Sequence, residues 1–242
     1  MAVAVHVAAA ERLPQGKYPD PARMEAEVAA LEADAYAVSP PDPAIVCVGS
    51  SSMRMWSSLT KDLAPFPVVP RGFGGSTMYD VYTYLDRLVL PLHPSAILLY
   101  EGDNDIDFGV APEDVLEAFH AVNERIHETL PECRVFVLSV KPSGARWHEW
   151  ADVQEANRLL AAACEESPLL HFLDIATPML SEDGTLREDI FLADRLHMNG
   201  TGYEIWTGVV RPALLKHAAD LQVRGSEDAL DGVRDDGAVQ GR

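Results

Sequence analysis

Five apolar runs punctuate the chain, at residues 44–48 (AIVCV), 66–69 (FPVV), 96–100 (AILLY), 135–140 (VFVLSV) and 169–175 (LLHFLDI). Apolar positions within them are continuous rather than alternating. That is the pattern of strands covered on both faces, since a strand with one wet face repeats with a period of two. Between the runs, helices are predicted over 53–59, 77–90, 112–130 and 149–166, and a closing one over 200–219. In the third of these, Val115, Phe119, Val122, Ile126 and Leu130 fall on one helical face. Pro112 suits its first turn, where the missing N–H would have no partner anyway. A further helix, over 21–37, is expected to pack outside the sheet.

This alternation of strand and helix predicts an α/β fold, a three-layer α/β/α sandwich with a mostly parallel five-stranded sheet. Residues 1–224 read as one domain with an N-terminal helical extension over about 1–40. Residues 225–242 mix Gly with Asp and Glu, carry few apolar side chains, and read as a disordered acidic tail.

Charge narrows the partners. Thirty-eight acidic residues against 19 basic ones give a formal charge of −19. Such a surface repels phosphate backbones and anionic lipid heads, so neither nucleic acid nor membrane is expected as a partner. No apolar stretch reaches the roughly 18 to 20 residues of a membrane helix. The apolar start lacks the basic leader of a secretory signal, and a cytoplasmic protein is expected. Cys47, Cys133 and Cys164 lie far apart without CxxC spacing, which suggests neither a disulfide framework nor a zinc site.

In parallel α/β sheets, sites form beyond the carboxyl ends of the strands. The polar residues that follow each apolar run are therefore the candidates. Gly49-Ser50-Ser51-Ser52 follows the first run. A small-residue turn there exposes a hydroxyl and aims backbone N–H groups at a ligand. Taken alone, the turn is better read as a helix N-cap, for which Ser is among the best residues, although three successive serines are more than one cap requires. After the second run, Arg71-Gly72-Phe73-Gly74-Gly75-Ser76-Thr77 permits positive φ and close backbone approach, but it lacks the Lys of a Walker loop. An ordinary tight connection fits it equally well.

After the third run comes Glu101-Gly102-Asp103-Asn104-Asp105-Ile106-Asp107. Its acids imitate a calcium loop, yet Phe108 stands where that loop needs Gly and Asp114 where it needs Glu. Asn104 offers an amide donor to the same cleft. Further on, Asp194-Arg195-Leu196-His197 lets an acid bend back onto the imidazole Nδ1–H and leaves Nε2 as a base. Taken alone, that spacing is as well explained by a surface salt bridge. The segment 141–147 (KPSGARW) follows the fourth run and is expected at the cleft rim. There Arg146 and Trp147 read as loop packing rather than substrate contacts.

Taken together and in this order, the four turns resemble the sequence blocks of the SGNH hydrolases, the GDSL esterase/lipase family. Gly49-Ser50-Ser51 resembles the nucleophile block, with Ser50 where Asp is common, so Ser52 stands as an alternative nucleophile. Residues 72–76 resemble the glycine block, 102–105 the Gly-x-Asn-Asp block, and 194–197 the Asp-x-x-His block. The resemblance implies a flavodoxin-like sheet and hydrolysis of a small-molecule carboxylic ester through an acyl-enzyme. It implies Ser51 as nucleophile, His197 as base and then acid, and Asp194 as the group orienting His197. The oxyanion donors it implies are the Ser51 and Gly75 N–H groups and the Asn104 amide, with no metal or organic cofactor. A short acyl group is expected because no lid-like apolar insertion is evident, and a homo-oligomer is compatible with the sequence. Three alternatives remain open: a carbohydrate or metabolite deacetylase or thioesterase using the same site, a non-catalytic small-molecule-binding module, and a nucleotide site at residues 72–77.

Overall fold

All five apolar runs become strands: β1 (Ile45–Gly49), β2 (Val68–Gly72), β3 (Ala96–Tyr100), β4 (Arg134–Leu138) and β5 (Leu170–Leu173). The computed structural model describes residues 17–34 and 41–221. The strands pair in the order β2-β1-β3-β4-β5, every pair parallel. The mostly parallel sheet expected from the sequence is thus wholly parallel across these five strands.

The helices are α1 (Glu25–Glu32), α2 (Ser51–Arg54), α3 (Leu59–Asp62), α4 (Met78–Leu88), α5 (Asp103–Asp107), α6 (Pro112–Thr129), α7 (Trp150–Glu165) and α8 (Gly200–Lys216). Successive side chains of a strand point to opposite faces. In β1, Val46 and Val48 therefore join a core with α1, α4, α6 and α7, while Ile45 and Cys47 join a second core with α2, α3 and α8. Both faces are covered, which is why the runs read as continuously apolar. Each fully buried Val, Leu or Ile contributes roughly 1.5–3 kcal/mol.

Three expectations need correction. The second strand begins at Val68 and runs through Pro70 to Gly72, not over 66–69. β2 lies at the edge of the sheet, and an edge strand tolerates a residue without an N–H. The single helix expected over 53–59 is instead two short ones, α2 and α3, separated by residues 55–58. The segment 21–37 forms a 3₁₀ turn (Pro21–Met24) and then α1, which ends at Glu32. Its residues 35–37, like 225–242, lie outside the described residues. Among the described residues, no helix is long and apolar enough to cross a membrane.

The sheet order reverses direction at β1, between β2 on one side and β3 on the other. The crevice beyond the carboxyl ends of β1 and β3 is the topological switch point, where ligands bind in such sheets. Two of the four candidate turns leave the sheet there, one from each strand.

Candidate active site

Gly49 ends β1 at a φ of +150°, and a Cβ there would lie 2.2 Å from the Tyr100 carbonyl oxygen of β3. Only glycine lets the chain turn so close to its neighbour. Ser50 then takes the N-cap position of α2, but its side chain makes no capping bond. The first N–H groups of a helix have no intrahelical partner. Ser51 is the first residue of α2, and its N–H has no partner among the described residues. Ser51 itself is half-buried, while Ser52 is buried and its carbonyl accepts a hydrogen bond from the Tyr203 hydroxyl at 2.9 Å.

Opposite stands the turn that precedes α8. Asn199 caps that helix, accepting from the N–H groups of Thr201 and Gly202, and its amide donates to the carbonyls of Asp189 and Phe191. Arg195 sits at a φ of +57°, and its carbonyl accepts from the Ala145 N–H at 3.1 Å. The turn so anchored brings His197 Nε2 to 3.0 Å from Ser51 Oγ and His197 Nδ1 to 2.7 Å from Asp194 Oδ2. Asp194 Oδ1 accepts from the N–H groups of Leu196 and His197, each at 3.0 Å. The imidazole bond, with these two backbone donors, lowers the Asp194 carboxyl to about 2. Ser51, and not Ser52, therefore faces the histidine.

The glycine turn supplies the third wall. Gly74 N–H donates to both carboxylate oxygens of Glu27 at 3.1 Å, and Glu27 also pairs with Arg54 of α2 at 2.6 Å. The next N–H, that of Gly75, has no partner among the described residues. Gly75 has a φ of +76°, a left-handed conformation that favours glycine.

Asn104, on α5, is 8% exposed. Its Nδ2 donates to the Ser76 carbonyl at 2.8 Å and its Oδ1 accepts from Arg146 Nη2 at 3.1 Å. Ser76 Oγ donates to Glu101, a fully buried carboxyl whose other oxygen has no partner among the described residues. Burial, and secondarily the Asp105 charge, push Glu101 well above the ordinary carboxylate range.

The calcium-like acids are all engaged. Asp103 pairs with Lys141 at 2.9 Å and Arg146 at 2.7 Å, Asp105 accepts from the Met78 and Gly102 N–H groups, and Asp107 pairs with Arg146 at 2.8 Å. Burial alone would raise the Asp103 carboxyl, but Lys141 and Arg146 outweigh it and hold the group below its ordinary value. Among the described residues, no group of three or more His, Cys, Asp or Glu is arranged to hold a metal ion. Burial pushes the thiols of Cys133 and Cys164 up to about 12, which leaves no thiolate at neutral pH.

Sequence reasoning missed the contact of Arg146 with Asn104 and the ion pairs of Asp103 with Lys141 and Arg146. Lys141 and Arg146 lie in the loop after β4, beside the acidic turn after the adjacent β3. Two cations opposite three aspartates on neighbouring strand ends were the available signal.

Comparison with known proteins places the chain among ester hydrolases. The chain is 27% identical over 194 residues to platelet-activating factor acetylhydrolase IB subunit alpha1 from Pongo abelii, covering 76% of this chain and 81% of that one. It is 26% identical to the Homo sapiens protein of the same name, with the same coverage. Its fold matches that of a GDSL-like lipase from Bacteroides thetaiotaomicron with a TM-score of 0.62 and 21% identity, over 81% of this chain and 98% of that one. The model of the GDSL-like Lipase/Acylhydrolase family matches residues 36–205, which include all four turns. The chain belongs to that family, and is a carboxylic ester hydrolase of the SGNH type.

Proposed function

We propose that the protein is a serine esterase that removes short acyl groups, acetyl foremost, through a Ser51–His197–Asp194 triad and an acyl-enzyme. The observation that carries this reading is the unbroken relay from Ser51 Oγ to His197 Nε2 (3.0 Å) and from His197 Nδ1 to Asp194 (2.7 Å). A serine hydroxyl is a weak nucleophile until a neighbouring base takes its proton. Asp194, held ionised, fixes the proton of neutral His197 on Nδ1 and leaves Nε2 as that base.

Ser51 Oγ attacks the ester carbonyl and its proton passes to His197 Nε2. Negative charge develops on the carbonyl oxygen and is received by the Ser51 N–H, the Gly75 N–H and the Asn104 amide. His197 then protonates the leaving alkoxide, and the acyl group stays on Ser51. Water, deprotonated by the same Nε2, attacks the acyl-enzyme, and that proton returns from Nε2 to Ser51 Oγ as the acid is released. The acetyl preference is supported by the relatives at 26–27% identity, whose name is acetylhydrolase.

The test is turnover of p-nitrophenyl acetate, butyrate and octanoate. Acetate is expected to give the highest kcat/KM. Ser51→Ala is expected to abolish turnover and Ser52→Ala to retain it, both with unchanged thermal midpoints. Undiminished turnover by Ser51→Ala would overturn the nucleophile assignment, and a preference for octanoate would overturn the short-acyl reading.

A further inference from the structure

Asn104 is held at both ends of its amide. Arg146 Nη2 can only donate, so the atom it meets at 3.1 Å is Oδ1. The Ser76 carbonyl can only accept, so the atom it meets at 2.8 Å is Nδ2. The two contacts demand the same orientation, and a flipped amide would set donor against donor and acceptor against acceptor. One Nδ2 hydrogen is used by Ser76, and the other has no partner among the described residues. Ser76 directly follows Gly75, so the same bond ties the two oxyanion donors of the proposed mechanism into one unit.

Arg146 is itself immobilised. Its Nη1 donates to Asp103 Oδ1 at 2.7 Å and its Nη2 also reaches Asp107 at 2.8 Å. Asp103 is in turn pinned by Lys141, whose side chain is 0% exposed. A planar guanidinium can serve these three acceptors at once, whereas an ammonium is a single point. A cation on the carbonyl end of an amide also polarises it, which strengthens its N–H as a donor.

We infer that Arg146 is a positioning residue for ester hydrolysis, aiming and polarising the Asn104 amide that receives the oxyanion. This rests on the esterase reading above and adds to it a residue that touches no reacting atom.

The experiment is a double-mutant cycle on p-nitrophenyl acetate turnover, with Asn104→Ala, Arg146→Met and the pair. An oxyanion donor is worth about 10²–10³ in rate, and a misaimed one should lose part of that. Arg146→Met is expected to lower kcat roughly 10- to 100-fold with KM within about twofold. In the Asn104→Ala background, the same substitution is expected to lower kcat by less than about twofold. Equal losses in both backgrounds, or no loss in the single variant, would overturn the inference.

Arg146→Lys separates positioning from folding. It keeps a cation for Asp103, so its thermal midpoint should return toward that of the wild type, while kcat stays low because one ammonium cannot also grip Asn104. Recovery of kcat together with the midpoint would refute the grip on the amide. An inactive wild type would instead refute the esterase reading, so the two failures are distinguishable.

Discussion

Asp194→Asn is the sharpest probe of the triad, because it alters the chemistry while sparing the turn. Asn Oδ1 can still accept from the N–H groups of Leu196 and His197, both now bonded at 3.0 Å, so the loop should keep its shape. What changes is the atom facing His197 Nδ1 at 2.7 Å, where a carboxylate oxygen becomes an amide NH₂. The imidazole must then carry its proton on Nε2, the nitrogen that should accept from Ser51. Losing a charged hydrogen bond costs about 1.5–3 kcal/mol, and the competing amide bond to Nδ1 adds about 1 kcal/mol. The Asp194 side chain is 48% exposed, so water offsets part of that sum. A net penalty of about 2–3 kcal/mol predicts a fall in kcat of about 30- to 150-fold. That is well short of the roughly 10⁴-fold loss known where the triad acid is buried. The assay is p-nitrophenyl acetate turnover, with KM expected within about twofold and the thermal midpoint within about 2 °C. A variant that keeps more than a third of the wild-type kcat would show that Asp194 does not set the imidazole tautomer.

Gly49→Ala brings a Cβ to 2.2 Å from the Tyr100 carbonyl at a φ of +150°. Backbone must move against backbone, so urea denaturation should show a loss of about 3 kcal/mol or more; a loss under about 1 kcal/mol would mean that β1 and β3 yield easily. Burial, then the charges of His217, Arg134 and Lys216 with Asp220 opposing, lower the His171 imidazole from 6.5 to about 4. The folded state then binds fewer protons than the unfolded chain between those values, so stability should fall as pH drops from 6.5 toward 4. His171→Phe keeps the ring packed near Phe136 (4.8 Å between centroids) and should lose less stability between pH 7 and pH 4.5 in urea melts; an equal loss would remove His171 from the account.

The legible part of the fold was its two-sided burial. Residues 96–100 became β3 without adjustment because every position of the central strand is buried. The second strand was displaced because apolarity alone marks Phe66, whereas the pairing of Cys47 with Pro70 and Gly49 with Gly72 depends on β1 as partner. At the site, three turns were visible as residue types at strand ends and the fourth as an acid and a histidine just ahead of α8. The N–H groups were not, because where α2 begins, or whether Gly74 is already bonded to Glu27, is a matter of backbone and side-chain conformation. Arg146 stood in a loop read as packing, since a neighbouring strand's loop decides whether a surface cation becomes a clamp.

The two halves of the proposed machinery are built differently, and the chemistry gives a reason. The base arm lies on a partly open turn, with Asp194 half-exposed, and the imidazole must gain and lose a proton twice per turnover. Solvent access there eases the changing charge. The oxyanion arm must instead offer fixed dipoles to a charge that exists only in the transition state, and donors that reorganise lose their advantage. Burying Asp103 and Lys141 is unfavourable in itself and is offset only by close pairing and satisfied hydrogen bonds. A chain selected for stability alone would do as well with apolar residues there. What the ions add is an immobile guanidinium against the Asn104 carbonyl, a constraint that a hydrophobic plug could not impose. Replacing Lys141 with Met should therefore harm kcat through Arg146 and Asn104 rather than through binding, with KM little changed, and a rise in KM at constant kcat would contradict this division of labour.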